Sequence, residues 1–226
     1  MRILIAIPHF YAPRHPEPVD RPRYGADRTP LTARVAIVQR CLDLLHANFI
    51  ASRYELDVST RLVGREVYRT PTRHHLDIIL CVRQPAHLLD ELALPRGTRI
   101  GTTRNEPRQI GFHCHKLLAK HVKDYDWFGY MEDDLAIEDP FFFDKIAWFN
   151  ETFGDEYMLQ PNRFEAVERR GGVKVYVDGP VPDDGVHTIP NQFRGTKLAA
   201  PMFGRQIEFE AKRNPMAGCF FMNQAQ

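Results

Sequence analysis

The junction at residues 127–134 constrains this chain more than any other feature. Five apolar or small residues, Trp127-Phe128-Gly129-Tyr130-Met131, run straight into Glu132-Asp133-Asp134. The first half has the length and composition of a buried strand. The second half cannot share that environment. Three adjacent carboxylates repel one another and resist burial unless a cation or solvent compensates them. A fold that satisfies both halves puts the strand inside and its carboxyl end at an open rim.

The rest of the chain alternates strand-like and helix-like segments around that junction. Residues 3–7 form a continuous apolar run with three isoleucines, closed by Pro8, and read as a buried strand. A long connection over residues 9–28 follows, with Pro13, Pro16, Pro18 and Pro22 and four arginines. Long loops of this kind are functional or mobile, and a lid over a ligand or a partner-binding surface both suit it. Thr29-Pro30 has N-cap and N1 chemistry, and Leu31, Val35, Val38, Leu42 and Leu45 then recur at helical spacing. Further strands are expected over 54–63, 76–82, 98–103, 157–159 and 216–222, with a hairpin around Gly171-Gly172 leading into Val173 and Val175. A helix over 110–122 has Ile110, Cys114, Leu117 and Leu118 inward. Another is expected from Asp139-Pro140 to a stop at Gly154. This alternation predicts an α/β fold with a mostly parallel central sheet and helices on both faces. The 226 residues suit a single domain spanning 1–226.

Composition removes several function classes. Thirty basic and 29 acidic side chains give a formal charge of +1, with no basic stripe for a nucleic acid to follow. The hydrophobic fraction of 43% is ample for a core. No stretch reaches the ~18 apolar residues of a membrane-spanning helix, and the apolar run at the N-terminus is too short for a signal peptide. Cys41, Cys81, Cys114 and Cys219 are scattered without a Cys-x-x-Cys pair, so they read as small buried residues in a reducing compartment. The expected location is cytoplasmic.

The chemistry is concentrated near the acidic triplet. Ligand sites in open α/β sheets lie off the carboxyl ends of strands. Magnesium and manganese bind there through one or two carboxylates plus substrate phosphates, which suits a reaction that expels a diphosphate. The alternative is a solvated acidic turn. His113, Lys116 and Lys120 project from the side of the 110–122 helix opposite its apolar face, where cations could hold diphosphate oxygens. For the lysines a plain solvated face is the competing reading. Arg104 and Arg108 flank the start of the same helix, where free backbone amides favour an anion, although an ordinary polar turn fits equally. His113-Cys114-His115 is not read as a zinc motif, because neighbouring helix residues point apart.

Residues 130–143, YMEDDLAIEDPFFF, resemble the acidic signature of GT-A glycosyltransferases, in particular the N-acetylglucosaminyltransferase I family. That family has a hydrophobic strand, Glu-Asp-Asp-Leu, a short acidic stretch, then proline and paired phenylalanines. Its preceding helix carries Ile-x-x-His-x-x-x-x-Leu, which Ile110, His113 and Leu118 match. The resemblance covers about 40 residues, 110–149. It implies a GT-A-like fold and metal-dependent glycosyl transfer from a nucleoside-diphosphate sugar, UDP- or GDP-linked, to an acceptor it does not identify. It implies Mn2+ or Mg2+ on Asp134, and donor contacts from Asp133 and His113. Glu132, Arg104, Arg108 and Lys116 are grouped with the donor contacts. The arginine that the family carries just after its first strand is missing, since Pro8-His9-Phe10 stands there.

An inverting transferase needs a carboxylate base for the acceptor hydroxyl. Asp183, Asp184, Glu208 and Glu210 lie in the right part of the chain, and Glu208 and Glu210 are the candidates for catalysis. Residues 214–221 resemble the small-residue segment lining the acceptor side. Because the family's base usually follows that segment, the chain is expected to stop short of it. Two other functions remain in view. A sugar nucleotidyltransferase would carry a glycine-rich loop after the first strand, and residues 9–24 hold no glycine. A non-catalytic nucleotide-sugar-binding module would bind donor without turnover.

Overall fold

The structure is a computed structural model and describes residues 1–12, 29–67, 74–167, 172–178, 195–211 and 218–226. The loop over 13–28, Asp183, Asp184 and residues 214–217 lie outside the described residues. At its centre is a five-stranded sheet in the order β11-β6-β1-β4-β5. Strands β1 (Arg2–His9), β4 (His75–Arg83), β5 (Arg99–Thr103) and β6 (Trp127–Met131) are parallel. Strand β11 (Cys219–Asn223) runs antiparallel along the edge of β6. The mixed α/β architecture with a mainly parallel sheet is therefore as the sequence pattern predicts.

Period-two alternation in the strands splits the core into two layers. Ile3, Ile5, Ile7, Trp127 and Met131 face helices α1 (Leu31–Leu45) and α3 (Phe142–Phe153). Leu4, Ala6 and Phe128 face the other way, onto Ile110, Cys114 and Leu118 of α2 (Ile110–Lys120). All four cysteines are buried and free. No helix among the described residues is long and apolar enough to cross a membrane.

Several elements depart from expectation. The inner stripe of α1 is Arg34, Val38, Cys41, Leu42 and Leu45, whereas Leu31 is 44% exposed. Thr29 is not the N-cap, a position Pro30 holds without a side-chain bond. Helix α3 starts two residues after Pro140, since the Asp139 carboxylate accepts the Phe141 amide at 3.0 Å and holds a turn there. It ends at Gly154, whose φ of 88° suits glycine. Residues 54–63 are not one strand but parts of an exposed hairpin, β2 (Tyr54–Asp57) and β3 (Leu62–Glu66). Asp57 breaks the run by accepting the Ser59 and Thr60 amides at 2.9 and 3.2 Å. Residues 157–159 form no strand. The hairpin at Gly172 is present, as β7 (Phe164–Val167) and β8 (Val173–Tyr176). An unanticipated hairpin, β9 (Lys197–Met202) and β10 (Arg205–Glu210), packs Phe209 against Trp148, Phe149 and Phe153 of α3.

Candidate functional site at the ends of β1 and β6

From β1 the chain moves outward through β4 to β5, then returns to place β6 on the opposite side of β1. That reversal opens a crevice beyond the carboxyl ends of β1 and β6, where open α/β sheets bind ligands. Ile3 pairs with Trp127 and Ala6 with Tyr130. Continued at constant register, the strands bring His9 opposite Asp133 just as they part. On the other edge Cys219 pairs with Met131, which brings Gly218 opposite Glu132. The Glu132 amide donates to the Gly218 carbonyl at 2.8 Å. The chain then turns, with the Leu135 amide donating to the Glu132 carbonyl at 3.2 Å. The triplet is thus spread across the crevice, Asp133 toward β1 and Glu132 toward β11.

Asp133 is the buried member. Its side chain falls on the α1 face of the sheet, in phase with Met131, and meets Arg34 from the first turn of α1. Arg34 Nη2 donates to Asp133 Oδ1 at 2.5 Å, and His9 Nδ1 lies 2.6 Å from Oδ2. The other imidazole nitrogen, His9 Nε2, is 3.0 Å from the Leu88 backbone amide. An amide can only donate, so Nε2 accepts, and the ring proton sits on Nδ1 and points at Asp133. His9 is therefore neutral and Arg34 is the counter-charge. His9, Arg34 and Asp133 are 0%, 6% and 6% exposed. Sequence reasoning missed Arg34 and His9. The signal for Arg34 was there, as a charge in phase with an apolar stripe.

Glu132 and Asp134 are different. Both side chains reach solvent, and neither takes part in an ion pair among the described residues. Protein packed around them, then the charge of Asp134, raises the Glu132 pKa above the usual carboxylate range. Surrounding protein, then Asp133, raises that of Asp134, with Arg34 opposing. Tyr130, on the same face as Glu132, is also pushed up, by burial and then by Glu132.

A second arginine closes the β11 side. Arg163 precedes β7, and Asp178 follows β8. Arg163 Nη2 donates to Asp178 Oδ1 at 2.6 Å and Nε to Oδ2 at 3.0 Å, with the Asp178 side chain 2% exposed. The free edge of the guanidinium turns toward Glu132. A Cβ built on Gly218 would collide with Glu132 Oε2 and would lie 2.7 Å from Arg163 Nη1, so these atoms close on the one position without a side chain. Among the described residues, Glu132, Asp133, Asp134 and Asp178 against Arg34 and Arg163 leave a formal excess of two negative charges.

The other expected site residues are dispersed. His113 is half-buried on α2, its pKa lowered by burial and then by Lys120 and Lys116. The α2 histidine that meets the acidic strand is His115, edge-on to Tyr130 at 5.4 Å and to Phe220 at 5.3 Å between ring centroids. Arg104, Arg108 and Lys116 are exposed around and along α2. Glu208 and Glu210 border a cavity of about 470 Å³ between α3, residues 156–162 and the β9–β10 hairpin. They alternate along β10 with Ile207 and Phe209, the half-buried residues of that strand, and so project from the opposite face. Among the described residues no hydrogen bond or ion pair joins either of them to the triplet. Among the described residues no group of three or more His, Cys, Asp or Glu side chains is arranged to hold an ion unaided. In comparisons with known proteins, the chain matches no family model, no curated protein and no solved structure.

Proposed function

We propose that this chain is a metal-dependent glycosyltransferase that takes a sugar from a nucleoside-diphosphate donor, UDP- or GDP-linked, and passes it to an acceptor hydroxyl. The fold inferred for it is GT-A-like and its setting cytoplasmic, in keeping with four free, buried cysteines. One observation carries the reading. Among the described residues, Glu132 and Asp134 are carboxylates in no ion pair at the switch-point crevice, and the charged side chains placed there sum to two negative units.

Mn2+ or Mg2+ fits that donor set, since these hard ions bind through one or two carboxylates and take their remaining ligands from phosphates and water. Asp134 is the assigned ligand. When bound, the ion supplies positive charge against the departing diphosphate. The chain's own residues orient the site. Arg34 and His9 hold Asp133, the Leu135 amide closes the turn on the Glu132 carbonyl, and Asp134 stands exposed within that turn. Asp133 is thereby committed to the protein, so the donor contact implied for it by resemblance falls to its neighbours.

Calorimetric titration with UDP, GDP and their sugar conjugates, with and without Mn2+, tests the reading. Manganese-dependent binding of one nucleotide, abolished in Asp134→Ala while the fold persists, is the expected result. A folded protein that binds none of them would remove the reading. One alternative is favoured by the lack, among the described residues, of any hydrogen bond or ion pair joining Glu208 or Glu210 to the triplet: a module that binds donor without transfer. Sugar release or transfer by purified protein separates the two.

A further inference from the structure

The two guanidinium groups of the crevice are held differently. Arg34 is buried and its charge is spent on Asp133. Arg163 is gripped along one edge only. Asp178 takes Nε and Nη2, while Nη1 is left beside Glu132 over the bare backbone of Gly218, with the side chain 24% exposed. Were Arg163 simply the counter-ion of Glu132, the two would close to ion-pair distance, and they do not. A nearly fully buried carboxylate, Asp178, is instead committed to holding the fork in place. Its strands, β7 and β8, are otherwise largely exposed. Gly218 adds an independent observation, because the approach of Arg163 and Glu132 exists only where no Cβ stands.

We infer that Arg163 is the anion-binding arm of the site, presenting Nη1 to the phosphate oxygens of the donor diphosphate from the β11 side. This rests on the glycosyltransferase reading above. A guanidinium braced on one edge keeps its remaining N–H groups in a fixed plane, the arrangement that recognises phosphate best. Arg163 and Glu132 together then form the wall facing Asp134. The diphosphate would lie between a cationic arm and the carboxylate assigned to the metal. The competing explanation is that Arg163 only staples the base of the β7–β8 hairpin.

The two explanations part on phosphate dependence. Affinities of wild type, Arg163→Ala, Arg163→Lys and Asp178→Asn would be measured with Mn2+ for UDP, UMP, GDP, GMP and inorganic pyrophosphate. Melting temperatures would be taken in parallel. Arg163→Ala is expected to weaken diphosphate binding roughly 10- to 100-fold, from loss of charge-assisted hydrogen bonds, and monophosphate binding far less. Arg163→Lys should recover part of the loss, and Asp178→Asn should weaken diphosphates because the fork loses its brace. Should Arg163→Ala fail to fold, Arg163→Lys carries the test by the same diphosphate-to-monophosphate ratio. An unchanged ratio in the folded variants, with binding still lost in Asp134→Ala, overturns the role of Arg163 and leaves the transferase reading standing. No binding of any nucleotide by wild type overturns both.

Discussion

The two sides of the crevice use the same chemistry for different ends. On the β1 side, Asp133, Arg34 and His9 are sealed, and the carboxylate meets a guanidinium and an imidazole N–H. On the β11 side, Glu132 has no ion pair among the described residues, Arg163 is half committed, and both open to solvent. Neighbouring carboxylates in one triplet are thus divided by the pleat of β6, which sends Asp133 to the α1 face and Glu132 to the other. The sealed side fixes geometry. The open side keeps unbalanced charge, which is what a ligand can use.

The largest effect expected from that difference is on stability. Asp133→Ala strips a buried arginine of its counter-charge and leaves the His9 N–H without an acceptor. Breaking a buried pair from one side costs about 3–5 kcal/mol, and denaturant unfolding should show a loss of that size. Asp134→Ala, on the open side, should change stability by less than about 1 kcal/mol. Equal losses in the two variants would break the distinction between sealed and open sides.

Gly218→Ala sharpens the comparison from the other direction. The added methyl meets the end of the Glu132 side chain, which can swing aside, and Nη1 of Arg163, whose brace on Asp178 has to shift to make room. The fold should survive, but the open side would be rearranged. Manganese-dependent nucleotide affinity should fall about tenfold, or about 1.4 kcal/mol, with melting nearly unchanged. Unchanged affinity would separate the Glu132–Arg163 wall from the ligand.

The pH dependence is smaller and its sign can be worked out. Glu132 and Asp134 have folded-state pKa values raised above those of the unfolded chain. The folded state therefore holds their protons more tightly, and these two groups make stability fall as pH rises through the carboxylate range. The Glu132→Gln/Asp134→Asn double variant should flatten that part of the profile, read as a difference from wild type. Metal binding runs the opposite way, since it needs the ionised forms. Manganese affinity should fall on acidification, starting at a higher pH than two unshifted carboxylates would give. A double variant with a wild-type pH profile would mean that the two carboxylates are not electrostatically strained.

Much of this was legible in the chain because local signals agree. The apolar run at Trp127–Met131 and the carboxylates after it mark a strand end without any tertiary information. What joins that strand end to the rest is not local. His9 meets Asp133 across 124 positions, through the register of β1 with β6, which no periodicity encodes. Arg34 is an intermediate case. It sits four residues before Val38 in the α1 stripe, but an apolar count passes over it in favour of the exposed Leu31. The β9–β10 hairpin escaped because its two-residue turn is Phe203-Gly204, with both φ values positive at 49° and 73°. Such turns are recognised by Asn-Gly or Asp-Gly, and a phenylalanine in that conformation gives no such mark.

That hairpin also carries the mildest prediction. Glu208 and Glu210 lie where a catalytic base would be sought along the chain, and they border a cavity between α3, residues 156–162 and their own hairpin. Phe209, between them, is drawn to Trp148, Phe149 and Phe153. This fixes the pleat and turns both carboxylates to the opposite face. Substituting each by glutamine removes a charge without disturbing that packing. Donor affinity should stay within about twofold of wild type, and stability within about 0.5 kcal/mol. The decisive readout is transfer. If Glu208→Gln or Glu210→Gln abolishes transfer while donor binding persists, the hairpin must swing to the crevice during turnover. The open side would then extend well beyond Glu132 and Arg163. If transfer persists in both, the acceptor proton goes to a group on the crevice itself. Glu132, in no ion pair among the described residues and facing Arg163, is then the first to replace.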